Sequence, residues 1–150
     1  MKNEPKVKHG GYLIQEGSKF SIIAARTGEN CPFWEGMDEW IQIASDPSIS
    51  NKNPKKIEAF ALAAFFKKFC EHGPWRNETQ IKPLYGGYFE FKVKETGLRV
   101  PFYYDDEYRS VVILTHFFTK KSQKTPKSEL DRMEKIKKEF TEFRTIRRIK

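Results

Sequence analysis

Cationic side chains and a histidine are spaced through the second half of the sequence in a pattern suited to phosphate chemistry. The candidates are Lys82, Lys92, Arg99, Tyr103 and His116. Metal-independent cleavage of RNA needs a base for the 2′-hydroxyl, cations for the charge on pentacoordinate phosphorus, and an acid for the departing 5′-oxygen. Lys and Arg can supply the cations. His116 is the natural candidate for proton transfer because imidazole titrates near neutral pH, and a Tyr or a Lys with a lowered pKa can share that task.

A purely structural interpretation of these residues stays open, because His116 can simply end a strand and the lysines can be solubilising. His9, His72 and His116 are too scattered to predict a metal site, and Cys31 and Cys70 form neither a CxxC nor a zinc-type pair. The sequence also contains no GxxxxGK[ST], GxSxG or HExxH motif. We therefore expect neither a metal nor a small-molecule cofactor.

The positive charge of the chain lies almost entirely at its C-terminal end. Residues 119–150 carry 12 Lys and Arg against 5 Asp and Glu, whereas residues 1–118 carry 16 against 15. Such a field attracts phosphate backbones in a salt-dependent way, although a solvated basic helix has the same composition. No segment has the length and hydrophobicity of a membrane span or a secretory signal, so we expect a cytoplasmic protein without membrane contact.

The first part of the sequence predicts an arm, a strand and a helix. Residues 1–18 are polar and lack sustained periodicity, so we expect a flexible N-terminal arm, with residues 19–150 forming a single domain. Lys19–Arg26 is rich in strand formers. A first amphipathic helix follows, with apolar residues at helical spacing at Phe33, Met37, Trp40 and Ile41.

The second helix has the clearest boundaries in the sequence. Asn53 can cap it, Pro54 suits its first position, and Gly73 can end it, which predicts a helix over residues 54–72. Its apolar residues at helical spacing are interpreted as core rather than as a ligand site. They are Ile57, Phe60, Ala61, Leu62, Ala64, Phe65, Phe66 and Phe69.

Three strands with short turns are predicted next, as an antiparallel meander. Apolar and polar residues alternate in residues 86–93 and 98–104, so Lys92 and Arg99 flank one turn and share a side of the sheet. Pro101 indicates an edge position or a bulge.

The chain ends with a buried strand and a basic helix. The apolar middle of residues 108–118 suits a strand that is covered on both faces. Thr125 and Pro126 then mark the start of a third helix.

Three segments of this region resemble the RelE/ParE toxin superfamily. KPLYGGYFEFKV and LRVPFYY are similar to the superfamily's K-x-L-x-G-x-x-E-L-R and R-V-x-Y strands. HFFTKKSQKTPK, followed by a basic helix, is similar to the H-G-F-x-K-K-x-Q-K-T-P motif of its HigB-like, phage-derived branch. The resemblance covers the chain from about Phe20 onward and leaves residues 1–18 outside.

This resemblance implies a RelE-like α+β fold. Its antiparallel sheet would have about four strands, two N-terminal helices packed on it and a basic C-terminal helix. It also implies a cationic groove that receives mRNA in the ribosomal decoding site and cleaves it without a cofactor. A cognate antitoxin is implied as partner, in this branch a helix-turn-helix, HigA-like protein.

The resemblance also assigns roles to individual residues. It matches Lys82 and Arg99 to phosphate-contacting or catalytic cations, and His116, Lys120, Lys121 and Lys124 to the His and the lysines of the motif. With Lys92, Tyr103 and Lys127 added from the residues themselves, we expect a catalytic group of His116, Arg99, Lys92, Lys82 and Tyr103, and RNA-binding lysines at Lys120, Lys121, Lys124 and Lys127. Two positions depart from the motifs: Lys92 stands where Arg is usual and gives up a planar, two-point grip on phosphate, and Phe117 replaces a Gly. Three hypotheses therefore stay open: a ribosome-dependent endoribonuclease, a ParE-like gyrase inhibitor, and a non-catalytic RNA-binding relative.

Overall fold

The structure, a computed structural model, describes residues 4–120 and 124–149. Its helices are α1 (Pro32–Ser45), α2 (Pro54–His72) and α3 (Lys127–Ile149). Its strands are β1 (Val7–Lys8), β2 (Gly11–Glu16), β3 (Ser21–Ala24), β4 (Ile81–Pro83), β5 (Tyr88–Val93), β6 (Leu98–Tyr104), β7 (Val111–Leu114) and β8 (Phe118–Thr119).

The strands form one mixed sheet in the order β1-β2-β3-β7-β6-β5-β4, with β8 paired to the free end of β6. All neighbours are antiparallel except β3 and β7, which pair in parallel from Ser21↔Val111 to Ala24↔Leu114. The predicted four-stranded antiparallel sheet with two N-terminal helices is therefore wrong. Within the described ranges the sheet has eight strands, and three of them precede the first helix. The fold is a strand-rich α+β arrangement.

Residues 7–16, which we expected to lie in a loose arm, form the β1–β2 hairpin at one edge of the sheet. The turn between these strands is made by His9 and Gly10, both with positive φ. The His9 ring stacks on Tyr108 at 3.7 Å between centroids, and its carbonyl accepts a hydrogen bond from Arg144 at 3.3 Å. These contacts with distant residues explain why local sequence patterns miss the hairpin.

Helix α2 has the predicted boundaries. Asn53 Oδ1 accepts hydrogen bonds from the amides of Lys55 and Lys56, and Gly73 ends the helix with φ +81°. Its buried face carries Leu62, Phe66 and Phe69, but the predicted core residue Phe60 is 54% exposed. Together with α1, this helix covers one face of the sheet.

Helix α3 covers the opposite face of the sheet. Its Met133, Ile136 and Phe140 are buried against Ile23, Tyr88, Tyr103 and Ile113. Of the helices in the described part of the chain, none is long and apolar enough to cross a membrane.

Strand β6 lies in the middle of the sheet, between β5 on one side and β7 and β8 on the other. The edge position suggested by Pro101 is thus wrong. Pro101 faces the gap between the β7 and β8 pairings, and its carbonyl accepts a hydrogen bond from the Thr115 amide at 3.0 Å. A proline is tolerated there because the ladder is already interrupted.

Candidate phosphate-binding site

Four of the predicted cationic residues converge around one buried carboxylate on the α3 side of the sheet. Lys82 lies opposite Glu90 in the β4–β5 register, and Lys92 lies directly opposite Arg99 in the β5–β6 register. Lys120 reaches the same group from the segment that follows β8. We call Lys82, Glu90, Lys92, Arg99 and Lys120 the Glu90 cluster, because all four cations interact electrostatically with Glu90.

Glu90 is the member of the cluster that the sequence analysis missed. Its side chain is fully buried, and Arg99 Nε lies 3.7 Å from its Oε2 atom. Neither carboxylate oxygen has a hydrogen-bond partner among the described residues. Burial raises the pKa of Glu90, and Arg99, Lys120, Lys92 and Lys82 offset this only in part. The available sequence signal was a single carboxylate on an otherwise cationic strand face.

Two lysines of the cluster, Lys92 and Lys120, donate hydrogen bonds to a backbone oxygen and a hydroxyl oxygen rather than to carboxylates. Lys92 Nζ donates to the Glu78 carbonyl at 2.9 Å, and Lys120 Nζ donates to Thr125 Oγ1 at 3.4 Å. Burial is the main cause that lowers the pKa of Lys92 and of Lys120, and neighbouring cations add to it. Both ammonium groups therefore release a proton more readily than a solvated lysine.

The turn between β5 and β6 fixes the backbone of Lys120. The Lys120 amide donates to the Gly97 carbonyl at 2.9 Å, and a Cβ atom built on Gly97 would lie 2.5 Å from the Lys120 carbonyl oxygen. Gly97 also has φ +82°, which disfavours other residues. Only a glycine allows this close approach, so the turn holds Lys120 over the cluster.

His116, the predicted proton-transfer residue, does not share this surface. It is 1% exposed, with Nε2 3.1 Å from Glu129 Oε1 and Nδ1 3.0 Å from Thr115 Oγ1. Burial, with a contribution from Arg132, lowers its pKa to about 3. A neutral imidazole fits both contacts when Nε2 carries the hydrogen and Nδ1 accepts the Thr115 hydroxyl hydrogen, in place of the longer contact of that hydroxyl with the Pro101 carbonyl at 3.3 Å. The structural interpretation of His116 is the one this geometry favours.

The other predicted site residues that the structure describes are not among the charged groups around Glu90. Tyr103 is buried beneath α3, with Lys137 Nζ 4.8 Å from its ring centroid, and burial raises the pKa of its hydroxyl. Lys124 is exposed, and Lys127 pairs with Asp131 at 3.0 Å. Lys121 lies outside the described residues. Nowhere in the described ranges do three or more His, Cys, Asp or Glu side chains form a group that could hold a metal ion.

Comparison with known protein families matches residues 51–138, more than half of the chain, to the description "Phage derived protein Gp49-like (DUF891)". The chain belongs to the Gp49-like family. This family is associated with the toxins of toxin–antitoxin systems, which indicates an antitoxin as partner. No curated protein matches the chain.

The Gp49-like match runs from the start of α2 to the middle of α3. It therefore includes every residue of the Glu90 cluster, together with His116 and Glu129. The hairpin β1–β2, the strand β3 and the helix α1 lie outside the match. The part of the chain that matches the Gp49-like family therefore carries all four cations of the Glu90 cluster.

Proposed function

We propose that the protein is the toxin of a toxin–antitoxin system and acts as an endoribonuclease that cleaves mRNA on the ribosome. The observation that carries this proposal is the convergence of Lys82, Lys92, Arg99 and Lys120 from separate elements on one surface. Membership of the Gp49-like family supports the toxin assignment. A surface of this kind binds phosphodiesters and can stabilise the added negative charge of a phosphorane.

In this proposal the cluster divides the chemistry between two kinds of cation. Arg99 has a planar, permanently charged guanidinium group, which suits it to the phosphate oxygens. Lys92 and Lys120 have lowered pKa values, so one of them, as a neutral amine, can take the proton of the attacking 2′-hydroxyl, and the other, as an ammonium group, can give a proton to the departing 5′-oxygen. Because His116 is buried and neutral, it has no part in this division.

The partner that we propose is a small antitoxin of the helix-turn-helix, HigA-like kind. A cationic surface is complemented best by an acidic or amphipathic segment laid across it. Such a segment would compete with RNA for the same four cations. The antitoxin would then inhibit the toxin by occupying the cations that bind RNA, and the fold of the toxin would not need to change.

A second candidate function is that of a non-catalytic RNA-binding relative. The burial of His116 favours it, because the most obvious proton-transfer group is withdrawn from the surface. In that case the Glu90 cluster would bind RNA without cutting it. The two candidates share a binding surface and differ only in whether the RNA chain is broken.

Expression in bacterial cells separates these functions. We expect induction to stop translation with rapid loss of mRNA, whereas gyrase inhibition would cause DNA damage while mRNA stays intact. RNA binding without cleavage on translating ribosomes would identify the non-catalytic relative. Messenger RNA length and DNA damage are measured in the same induced culture.

Arg99→Ala is the informative variant for this experiment, with Arg109→Ala as its matched control. Arg109 is an exposed arginine in the loop between β6 and β7. We expect Arg99→Ala to relieve growth arrest and Arg109→Ala to leave it unchanged, with both proteins folded by circular dichroism. Equal toxicity of the Arg99→Ala variant and the wild type would exclude the Glu90 cluster as the active surface.

A further inference from the structure

The contacts of the Glu90 side chain do not explain a structural role for it in the sheet. Its backbone pairs within the β4–β5–β6 ladder, but within the described ranges its carboxylate has only Arg99 Nε, at 3.7 Å, as an ion-pair partner. A buried charge that accepts no hydrogen bond is costly, so such a group calls for a functional explanation. Its position at the centre of four cations supplies one.

The charged groups that face Glu90 come from every element around it. Lys82 belongs to β4, Lys92 to the same strand as Glu90, Arg99 to β6, and Lys120 to the segment after β8. In the free protein these cations would repel one another strongly without a central anion. Glu90 therefore stands where a phosphate group would have to compete for Arg99.

We propose that Glu90 is a positioning residue: it is the internal counter-ion that holds Arg99 in place until a phosphodiester displaces it and the carboxyl takes up a proton. This inference rests on the proposed function, since it assigns a role within the same phosphate site. Once the Arg99 guanidinium binds a phosphate, the buried Glu90 carboxylate loses its ion-pair partner. A carboxylate in that position is neutralised by a proton from solvent, a response that its raised pKa assists.

The proposal makes RNA binding depend on pH in a definite direction. If one proton is bound with each phosphodiester contact at the site, affinity falls as pH rises, by up to about tenfold for each pH unit. The lysines are present in both the wild type and a Glu90→Gln variant. Glu90 also raises the pKa of Lys92 and of Lys120, so its removal can only favour proton uptake by these lysines when RNA binds. A smaller proton count in Glu90→Gln than in the wild type therefore reports the proton that Glu90 takes up.

The test is calorimetric titration with a short 2′-O-methyl RNA, which keeps the phosphodiesters and lacks the hydroxyl needed for cleavage. Titrations at low salt in buffers of different ionisation enthalpy count the protons taken up. We expect the wild type to take up close to one proton more than Glu90→Gln at pH 7.5. The affinity of Glu90→Gln should stay nearly constant from pH 6 to 7.5.

Two further variants separate a positioning role from a merely structural one. Glu95→Gln makes the same charge change in the exposed turn between β5 and β6, and it should keep the wild-type proton count. Glu90→Asp retains a carboxyl and should restore most of the proton uptake. Thermal unfolding followed by circular dichroism establishes that each variant is folded before it is titrated.

Equal proton counts in the wild type and Glu90→Gln would overturn the proposal, as would the absence of RNA binding by the wild type. Loss of mRNA in induced cells without Glu90-dependent proton uptake would contradict the positioning role of Glu90 and leave the endoribonuclease proposal in place. Glu90-dependent uptake without mRNA loss would instead refute the endoribonuclease function and leave the positioning role intact.

Discussion

Two buried arginine–carboxylate pairs lie on the α3 side of the sheet, and they differ in how completely they are joined. At one end, the Arg144 guanidinium makes two hydrogen bonds to Asp105, at 2.8 and 2.9 Å, and a further bond to the His9 carbonyl. At the other end, Arg99 approaches Glu90 only at 3.7 Å. Both carboxylates are fully buried, so burial does not distinguish the pairs.

The pKa shifts of the two carboxylates have opposite signs. Burial acts to raise the pKa of Asp105, but hydrogen bonds from Arg144 and the Glu107 amide overcome it, and the pKa is lowered. For Glu90 burial prevails, and the pKa is raised. The Arg144–Asp105 pair joins α3 to the end of β6 and the β1–β2 turn. The Arg99–Glu90 pair lacks such hydrogen bonds, as expected of a pair that exchanges with a ligand in the proposed role of Glu90.

The largest effect is expected from breaking the structural pair. Arg144→Ala leaves Asp105 buried without its main partner, so we expect the free energy of unfolding to fall by about 3–5 kcal/mol. Lys138→Ala, an exposed change on the same helix, is the control and should have little effect. Urea unfolding monitored by circular dichroism measures both. A loss below about 1 kcal/mol for Arg144→Ala would contradict the structural assignment.

The second prediction is that His116 has a structural role, as the Arg144–Asp105 pair does, and not a role in the Glu90 cluster. Its folded-state pKa of about 3 lies below the unfolded value, so the unfolded chain binds more protons between pH 6.5 and 3. Stability is therefore present above pH 6.5 and lost as pH falls, by roughly 5 kcal/mol in total. Urea unfolding across this range should show a shallower loss for His116→Gln than for the wild type. The exposed His72→Gln variant should follow the wild type, and equal slopes in all three would refute the assignment.

The third prediction uses the opposite directions in which the pKa values of Glu90 and Asp105 are shifted. Because the pKa of Glu90 is raised, the folded state holds its proton longer, and the wild type loses stability as pH rises above 4.5. Glu90→Gln lacks this loss, so its stability relative to the wild type should increase with pH. Asp105→Asn should show the reverse trend, because the contribution of Asp105 is lost as pH falls. Unfolding curves from pH 2.5 to 7.5 cover both trends, because the contribution of Asp105 changes below pH 3.8 and that of Glu90 changes above pH 4.5. Relative stabilities that rise with pH for both variants would contradict the distinction.

The smallest effect concerns the salt dependence of RNA binding. If Lys82 contacts a phosphate, Lys82→Gln should reduce the slope of log affinity against log salt by about 0.7, the value for one contact to a single strand. Lys67→Gln, an exposed change on α2, should leave the slope unaltered because it lies on the opposite side of the sheet. Fluorescence anisotropy at several salt concentrations measures the slopes. An equal reduction in both variants would mean that binding follows net charge rather than the cluster.

Features set by neighbouring residues were predictable from the sequence. The ends of α2 follow from Asn53, Pro54 and Gly73, which act through local hydrogen bonds and backbone preference. The pairing of Lys92 with Arg99 follows from a short turn and strict alternation. In each case the determining contacts lie within a few residues along the chain.

Features set by distant parts of the chain were not predictable. Alternation correctly placed Glu90 on the polar side of β5, but the cover that buries it comes from residues on β6 and after β8. The same holds for His116, which is enclosed by Glu129 of α3. Phe60 shows the converse, since α2 is apolar around much of its surface and its pattern alone does not fix which side is buried.

The parallel pairing of β3 with β7 has a consequence for biosynthesis. It joins positions about 90 residues apart, a separation that makes the closing step of folding slow, since a long loop must be ordered first. Strands β4 to β6, by contrast, are linked by short turns and can assemble as soon as they are made. A nascent chain can therefore form most of its cationic strands before β3 pairs with β7 and brings the N-terminal hairpin to the edge of the sheet. An antitoxin that recognises those strands would have a target before synthesis ends.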